Sequence, residues 1–444
     1  MCSSAHGSHP GRSEGAGAWH GLLRRARGDS HSRSNANTRR RVGLGGSLLL
    51  TLLSAACRTP EKPPGDPATL AWDAVSAQAR GTTVTWRMWR GDPAVNAYVD
   101  RWVAPRVLAR SGVTLRAVEG QGPEIVNQLQ VEREAHARGR ADLVWINGET
   151  FHNLRRARLL YGPWAGRLPN AAFVDSASPI IRRDFEQDPA GYESPWGTVQ
   201  FALIYDSART PSPPRSYAEL AAWIQRHPGR FTHDQSFTGM TLLKQLLYAL
   251  NGGVERFQGG WNAGVYDAAS AKVWAWLDDV RPALWRRGDT YPEGVAALDR
   301  LFANGEVDFT MSNNLNDVAT KVRQGRFPAT ARALLLRDGT IANAHFLGIP
   351  ANAPNPAGAM VVANFLLSPE AQLEKAKPEV WADGTVLDPA RLPPEWRGRF
   401  AALERDPGGL PRDSLARYAR PEVAPEYHER IAADWRARIR RRGG

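Results

Sequence analysis

The sequence predicts an α/β protein of two doubly wound lobes joined by a two-stranded hinge. Three observations carry this. Apolar, β-branched runs alternate with helix-spaced segments from residue 70 onward. The run Asp142-Leu143-Val144-Trp145-Ile146 is apolar without alternation, as a parallel strand covered on both faces requires. The chain also crosses twice between two such units, at Thr198–Tyr205 and at Ile341–Ile349. A chain of 444 residues holds two or three folding units at ~100–200 residues each, with ample core.

The first 57 residues read as an address. Residues 1–38 are rich in Ser, Gly, His and Arg and have no apolar periodicity. Arg39-Arg40-Arg41 precedes the uncharged run Val42–Ala56, which is shorter than the ~20 residues a spanning helix needs and suits an export signal. The run ends in Ser54-Ala55-Ala56-Cys57. Small residues before a single Cys resemble a bacterial lipobox, which makes Cys57 the lipidated residue. The usual Leu three places ahead is Ser54 here, with Leu53 one place further back. Thr38–Val42 also resembles a twin-arginine signal, and a plain cleaved signal is the alternative. Residues 58–75 read as a flexible tether, with Pro60, Pro63, Pro64 and Pro67 among alternating charges.

Thr82–Trp86 is β-branched and reads as the first strand. Pro93 then suits a helix first turn, with Val95, Tyr98, Val99, Trp102 and Val103 at helical spacing. Val113–Val118 alternates as a second strand, Ile125–Ala137 is an amphipathic helix, and Asp142–Ile146 is the third strand. Further on, Tyr217–Arg226, Met240–Leu250, Trp274–Val280 and Val295–Phe302 read as helices, and Glu306–Met311 as a strand. Ile341–Ile349 returns to the first unit, and Gly358–Leu367 is a strongly apolar helix. The expected layout is lobe 1 over 76–197 and 342–400, lobe 2 with the hinge strands over 198–341, and a charged helical tail over 401–444.

Composition narrows the function. Cys2 and Cys57 are the only cysteines, which excludes a disulfide framework and a Cys-rich zinc site. The net charge is +12, of which residues 1–57 carry eight Arg against Glu14 and Asp29. The remaining excess is spread thinly, without a basic-aromatic stripe, so nucleic acid is not an expected partner. Beyond residue 57 there is no Gly-x-Ser-x-Gly, Walker A, His-Glu-x-x-His or Gly-x-Gly-x-x-Gly motif. His227, His233 and Asp234 read as a polar loop ahead of a metal site. No cofactor, metal or catalytic set is expected.

Ala141–Phe151, Glu193–Gln200 and Phe237–Gln245 resemble the extracellular solute-binding proteins of ABC importers, and most closely the YnjB-type group of thiamine-transport binding proteins. Gly305–Phe309, Gly348–Asn352 and Asn364–Gln372 resemble the broader superfamily. The resemblance spans roughly residues 80–380 and implies a type II periplasmic binding protein fold. It also implies a periplasmic or cell-envelope location, an ABC permease as partner, and thiamine or a relative as solute. The chain is expected to act as a monomer, anchored to a membrane through Cys57, and not as an enzyme. An extracytoplasmic hydrolase or transferase on a similar scaffold, or a sugar or polyamine binder, is the alternative.

Ligands of open α/β sheets sit beyond the carboxyl ends of the strands, so two facing sheets enclose an interlobe cleft. Trp86 and Trp89 flank the end of strand one and offer indole faces to a flat or cationic ligand, or else pack the core. Asn147, Gly148 and Glu149 close strand three, where Glu149 would pair with a cation or the group would cap a helix. Trp196 and Gln200 lie near the first crossing. Ser236, Thr238 and Gly239 open a helix and would favour an anion, or simply cap it. Ser312, Asn313 and Asn314 end a second-lobe strand on the opposite wall. Asn343 and His345 on the return strand are weaker candidates.

Overall fold

The computed structural model describes residues 65–314, 316–403 and 412–442. The leader, Cys57 and residues 58–64 of the tether lie outside them. The strands are β1 (Thr83–Met88), β2 (Thr114–Glu119), β3 (Leu143–Ile146), β4 (Glu193–Gln200), β5 (Ala202–Asp206), β6 (Phe309–Ser312), β7 (Ala331–Leu334), β8 (Thr340–Gly348) and β9 (Ala419–Arg420).

In the first lobe β1 lies parallel to β2 and β3, from Thr83 opposite Thr114 to Arg87 opposite Val144. β8 returns antiparallel beside β3, and β4 pairs antiparallel on its far side. Helical crossovers connect the parallel strands, as the pairing demands. Asp92 caps the first crossover by accepting from Ala94 N–H, with Pro93 in the first turn. A wide turn at Tyr98–Val103 sits beside Pro105, whose ring cannot supply an N–H to the helical ladder. Helix Pro356–Leu366 is apolar nearly all round and lies in the core with Trp86, Tyr98, Phe151, Trp164, Trp196 and Phe346. Buried Asp142 staples this lobe, accepting from the backbone N–H groups of Thr85 (2.7 Å) and Asn355 (2.8 Å).

The second lobe has a separate core, built around Phe201, Tyr217, Leu243, Phe257, Leu277 and Phe309. Its sheet is β6-β5-β7, and both pairings are antiparallel. The sequence predicts a parallel, doubly wound sheet here, and the structure differs for a geometric reason. β5 is fed straight from the crossing, so it runs away from the hinge. β6 runs back toward it and brings Ser312 opposite Ala202.

The crossing predicted as one strand, Thr198–Tyr205, is two. β4 ends at Gln200, and Phe201 buries its ring in the second core while its N–H bonds Ile341 O at 2.9 Å. A β-bulge between Pro195 and Gly197 shifts the register of β4, so simple alternation does not fix where Trp196 points. The hinge also gains a third pass of backbone, because β9 pairs parallel with β8 at Thr340 and Ile341. The segment expected as a charged tail contains helix Pro425–Arg442. Tyr427, Ile431 and Trp435 recur every fourth residue along it, so they share one stripe, and with Val423 just ahead of the helix they lie in the second core.

Candidate functional site

Just past β1, Asp92 reaches Arg326 of lobe 2, and just past β6, Asn314 reaches Trp381 of lobe 1; an indole group lies on the first-lobe side of this seam. Trp145, half-buried on β3, stands edge-on to Trp89 (centroids 6.4 Å) and to Trp196 (4.8 Å). Trp86 packs edge-on to Trp196 at 5.2 Å; both are fully buried and form the floor. Trp86 and Trp196 therefore present no open face, whereas Trp89 and Trp145 remain partly exposed. The His345 ring stacks on Trp381 (5.7 Å, 13° between planes). Fully buried Asp383 lies 3.2 Å from His345 Nε2 and 2.7 Å from Lys375 Nζ. Burial alone would raise the Asp383 carboxyl, but Lys375 and His345 hold it below the usual carboxylate range.

Lobe 2 closes on this wall. Asn314 Nδ2 donates to Trp381 O (3.3 Å) and Asn316 Nδ2 to Ala382 O (3.3 Å). Asn313 donates to Thr238 Oγ1 at 3.0 Å, and Ser312 Oγ donates to Asp317 Oδ2 at 3.0 Å. Of the three, Asn314 is thus the one that reaches across the seam, while Asn313 and Ser312 are satisfied within lobe 2. Gln200 donates to Thr340 Oγ1 (2.9 Å) and to Leu415 O (3.1 Å), a hinge role.

A second group is charged. Asn147 precedes helix Gly148–Arg156 and makes no side-chain cap bond there. A Cβ on Gly148 would run into the Phe185 ring, so glycine is required by close approach. Glu149 lies 3.3 Å from His428 Nε2, and Asn153 Nδ2 donates to Glu429 at 2.9 Å. Burial would raise the Glu149 carboxyl, yet His428, Lys244 and Arg436 bring it below its ordinary value. Lys244 is 0% exposed, pairs with Glu422 at 2.5 Å and sits 4.5 Å over the Phe185 ring. Its ammonium is lowered by burial, against the pull of Glu422, Glu149 and Asp184. Asn343 Nδ2 donates to the other Glu422 oxygen at 3.0 Å. Asp184 and Glu193 are buried beside this set, and burial first, then neighbouring carboxylates, raises both well above the usual range.

Phe185 and Glu186 are both left-handed (φ 49° and 63°), in a tight turn closed by two 2.9 Å bonds between Asp184 and Gln187. The turn points Glu186 across the seam, where it accepts from Gly259 N–H (3.1 Å) and Gly260 N–H (3.0 Å) of lobe 2. A cavity of about 500 Å³ follows this seam, lined by His152, Arg183, Phe185, Glu186, Trp261 and Glu426 among others.

The predicted anion position at Ser236, Thr238 and Gly239 is already occupied in part by the Asp234 carboxyl group. Asp234 accepts from Ser236 N–H (2.7 Å), Ser236 Oγ and Gly239 N–H (3.4 Å). Sequence reasoning missed Trp145, Trp381, Lys244, Glu422, His428 and Asp184. Two signals were available. Lys244 is a lone cation between Leu242-Leu243 and Leu246-Leu247. The four-residue spacing of Tyr427, Ile431 and Trp435 marks a core-facing helix.

Two lobes with separate cores, two crossing strands and loops converging on one seam define a hinged receptor for a small solute. Residues 104–402 match the family described as bacterial extracellular solute-binding protein. The chain is 38% identical over 327 residues to protein YnjB of Escherichia coli (strain K12), covering 72% of this chain and 84% of that one. The chain belongs to this solute-binding family and is the substrate-binding component of an ABC transporter, with the periplasmic or cell-envelope location this implies. Its fold is that of type II periplasmic binding proteins. AfuA of Actinobacillus pleuropneumoniae, with exogenous fructose-6-phosphate bound, superposes with a TM-score of 0.57 at 15% identity over 81% of this chain and 99% of that one. A periplasmic thiamin binding protein gives 0.55 at 16% identity over 82% and 96%. At these identities the likeness is one of fold.

Proposed function

We propose that the protein captures a flat organic cation, thiamine or a relative, in the interlobe cleft and delivers it to an ABC permease. The observation that carries this reading is the partly exposed edge of Trp89, just past β1, and Trp145 on β3, with the Glu149 carboxylate four residues after Trp145. A ring system stacks on the indoles, Glu149 neutralises its charge, and lobe closure expels water. A thiamin binding protein is among the proteins that share this fold. In this reading the mature chain is a monomer held to the membrane through Cys57, and it performs no catalysis.

Thermal shift with thiamine, spermidine and neutral sugars tests the assignment. A cationic hit is expected, and Glu149→Gln should weaken it about fivefold, the equivalent of ~1 kcal/mol for a partly exposed charge pair. Unchanged binding by the variant removes Glu149 from the site. Stabilisation by a sugar alone transfers the indoles to carbohydrate stacking. Turnover of esters or glycosides without stabilisation by any intact solute ends the receptor reading.

A further inference from the structure

We propose that the cavity beside Trp261 binds the neutral ring of a hexose or a glycoside, at a site separate from the Trp89–Trp145 edge and independent of the solute assigned to that edge. Among the described residues three large apolar side chains are exposed, and Trp261, at 37%, is the one aromatic. Its backbone is held on both sides. Gly259 and Gly260, ahead of it, donate to Glu186 of lobe 1. Asn262, behind it, caps helix Ala263–Val280 by accepting from Val265 N–H at 3.0 Å, and its own N–H donates to Tyr427 Oη at 3.2 Å. The indole stands edge-on to Tyr427 (centroids 4.7 Å) and tilted against Tyr266 (5.4 Å). An indole braced in this way is a platform already ordered before anything binds.

The rest of the lining is polar, and its groups are planar. Gln187 Nε2 donates to Gly148 O at 3.3 Å, which turns Oε1 toward His152, whose Nδ1 donates to it at 3.1 Å. Imidazole and amide are thus fixed in orientation. Glu426 lies 3.9 Å from His152 Nε2, beyond hydrogen-bond distance, and its half-buried carboxylate lines the cavity. Flat donors and acceptors of this kind bond adjacent hydroxyls of a sugar, while the C–H face of the ring lies on the indole.

Charge decides the class. Both Glu186 oxygens are taken by the N–H groups of Gly259 and Gly260. Of the other Arg and Glu side chains on the lining, Arg183 and Glu426 carry one charge of each sign. Such a balance favours neither a phosphate nor a polyamine and suits an uncharged polyol. The volume, about 500 Å³, falls within the ~300–1,000 Å³ of small-molecule sites. No movement of the lobes is needed for entry, because Trp261, Gly259 and Arg183 are exposed in the structure as it stands.

The test is calorimetric titration of the full chain with glucose, galactose, N-acetylglucosamine and maltose, with fructose-6-phosphate and spermidine as charged comparisons. At least one neutral sugar should bind with a Kd below ~1 mM. Trp261→Ala should weaken it at least fivefold, and Trp261→Phe, which keeps a ring, should weaken it less than that. Arg183→Ala, at an exposed position, should also weaken it, and carries the test if Trp261→Ala disturbs lobe 2. Saturation-transfer NMR should place the sugar C–H protons against an aromatic ring in the wild type. Absence of neutral-sugar binding below that limit overturns the proposal. So does a bound sugar that Trp261→Ala weakens less than fivefold, or that Trp89→Ala releases, or tighter binding of fructose-6-phosphate than of every neutral sugar. Spermidine or thiamine binding without any sugar removes this site and leaves the flat-cation reading standing. A sugar lost with Trp261→Ala supports this site whether or not a cation binds beside Trp89.

Discussion

Replacing Glu186 with Ala removes the carboxylate that bridges the lobes through Gly259 and Gly260. The two bonds, at 3.1 and 3.0 Å, are half-exposed, so each contributes about 1 kcal/mol to the closed form. Their joint loss of ~2 kcal/mol lowers the closed-to-open ratio about thirtyfold. Ala keeps the left-handed backbone strain that Glu bears at φ 63°, so the substitution isolates the bridge. Gln retains one acceptor oxygen and should give about half the effect. Further ties resist opening, among them Arg326 with Asp92 at 3.2 Å, Asn314 with Trp381 O, Asn316 with Ala382 O, Asn153 with Glu429, and Glu149 with His428. The change is therefore a broadened distribution, not a collapse of the closed form. Spin labels on exposed Leu108 in lobe 1 and Asp267 in lobe 2, with Cys2 and Cys57 replaced by Ser, read the interlobe distance. A distribution in Glu186→Ala that superposes on the wild type would refute the latch.

Trp435→Ala should cost ~3–5 kcal/mol in denaturant unfolding, because the ring is 3% exposed and packs 4.7 Å from both Tyr291 and His233; a loss under 1 kcal/mol would detach the last helix from the second core. Burial lowers His233 to about 4, so the folded protein keeps it neutral while the unfolded chain protonates near 6.5. Stability from this group is complete above the unfolded pKa and is lost as pH falls from ~6.5 to about 4, by ~3 kcal/mol at most. His233→Gln should flatten that slope in denaturant titrations, and an unaltered slope would place the acid sensitivity elsewhere.

The first lobe was legible because its signals are local. An apolar run without alternation marked β3, a β-branched run marked β1, and Pro93 fixed a helix start. The two crossings predicted a cleft, and of the residues expected to line it Asn314 and Glu149 contact the opposite lobe. What escaped depends on partners distant in sequence. Glu422 reaches Lys244 across 178 positions, and Asp184 shares its charge environment with both. No spacing rule connects them. The indoles show the same boundary from the other side: Trp86 and Trp89 are equivalent by residue type, and packing alone made one a floor and the other an edge. The capping alternative at Ser236 had a visible agent, since Asp234 stands two residues upstream. The second sheet was misread because parallel pairing was extended from lobe 1, whereas a strand entering from the hinge reverses the direction its neighbours need.

The four-residue stripe in helix Pro425–Arg442 has a consequence for how the chain assembles. Lobe 2 owes its last apolar layer, and the ring that covers His233, to residues made more than 80 positions after β7 ends at Leu334. A growing polypeptide therefore carries an unfinished second lobe almost until synthesis is over, while β1 to β4 and β8 of the first lobe are complete by Gly348. The two halves mature on different schedules, and the latecomer is the one that must then find its place against the hinge.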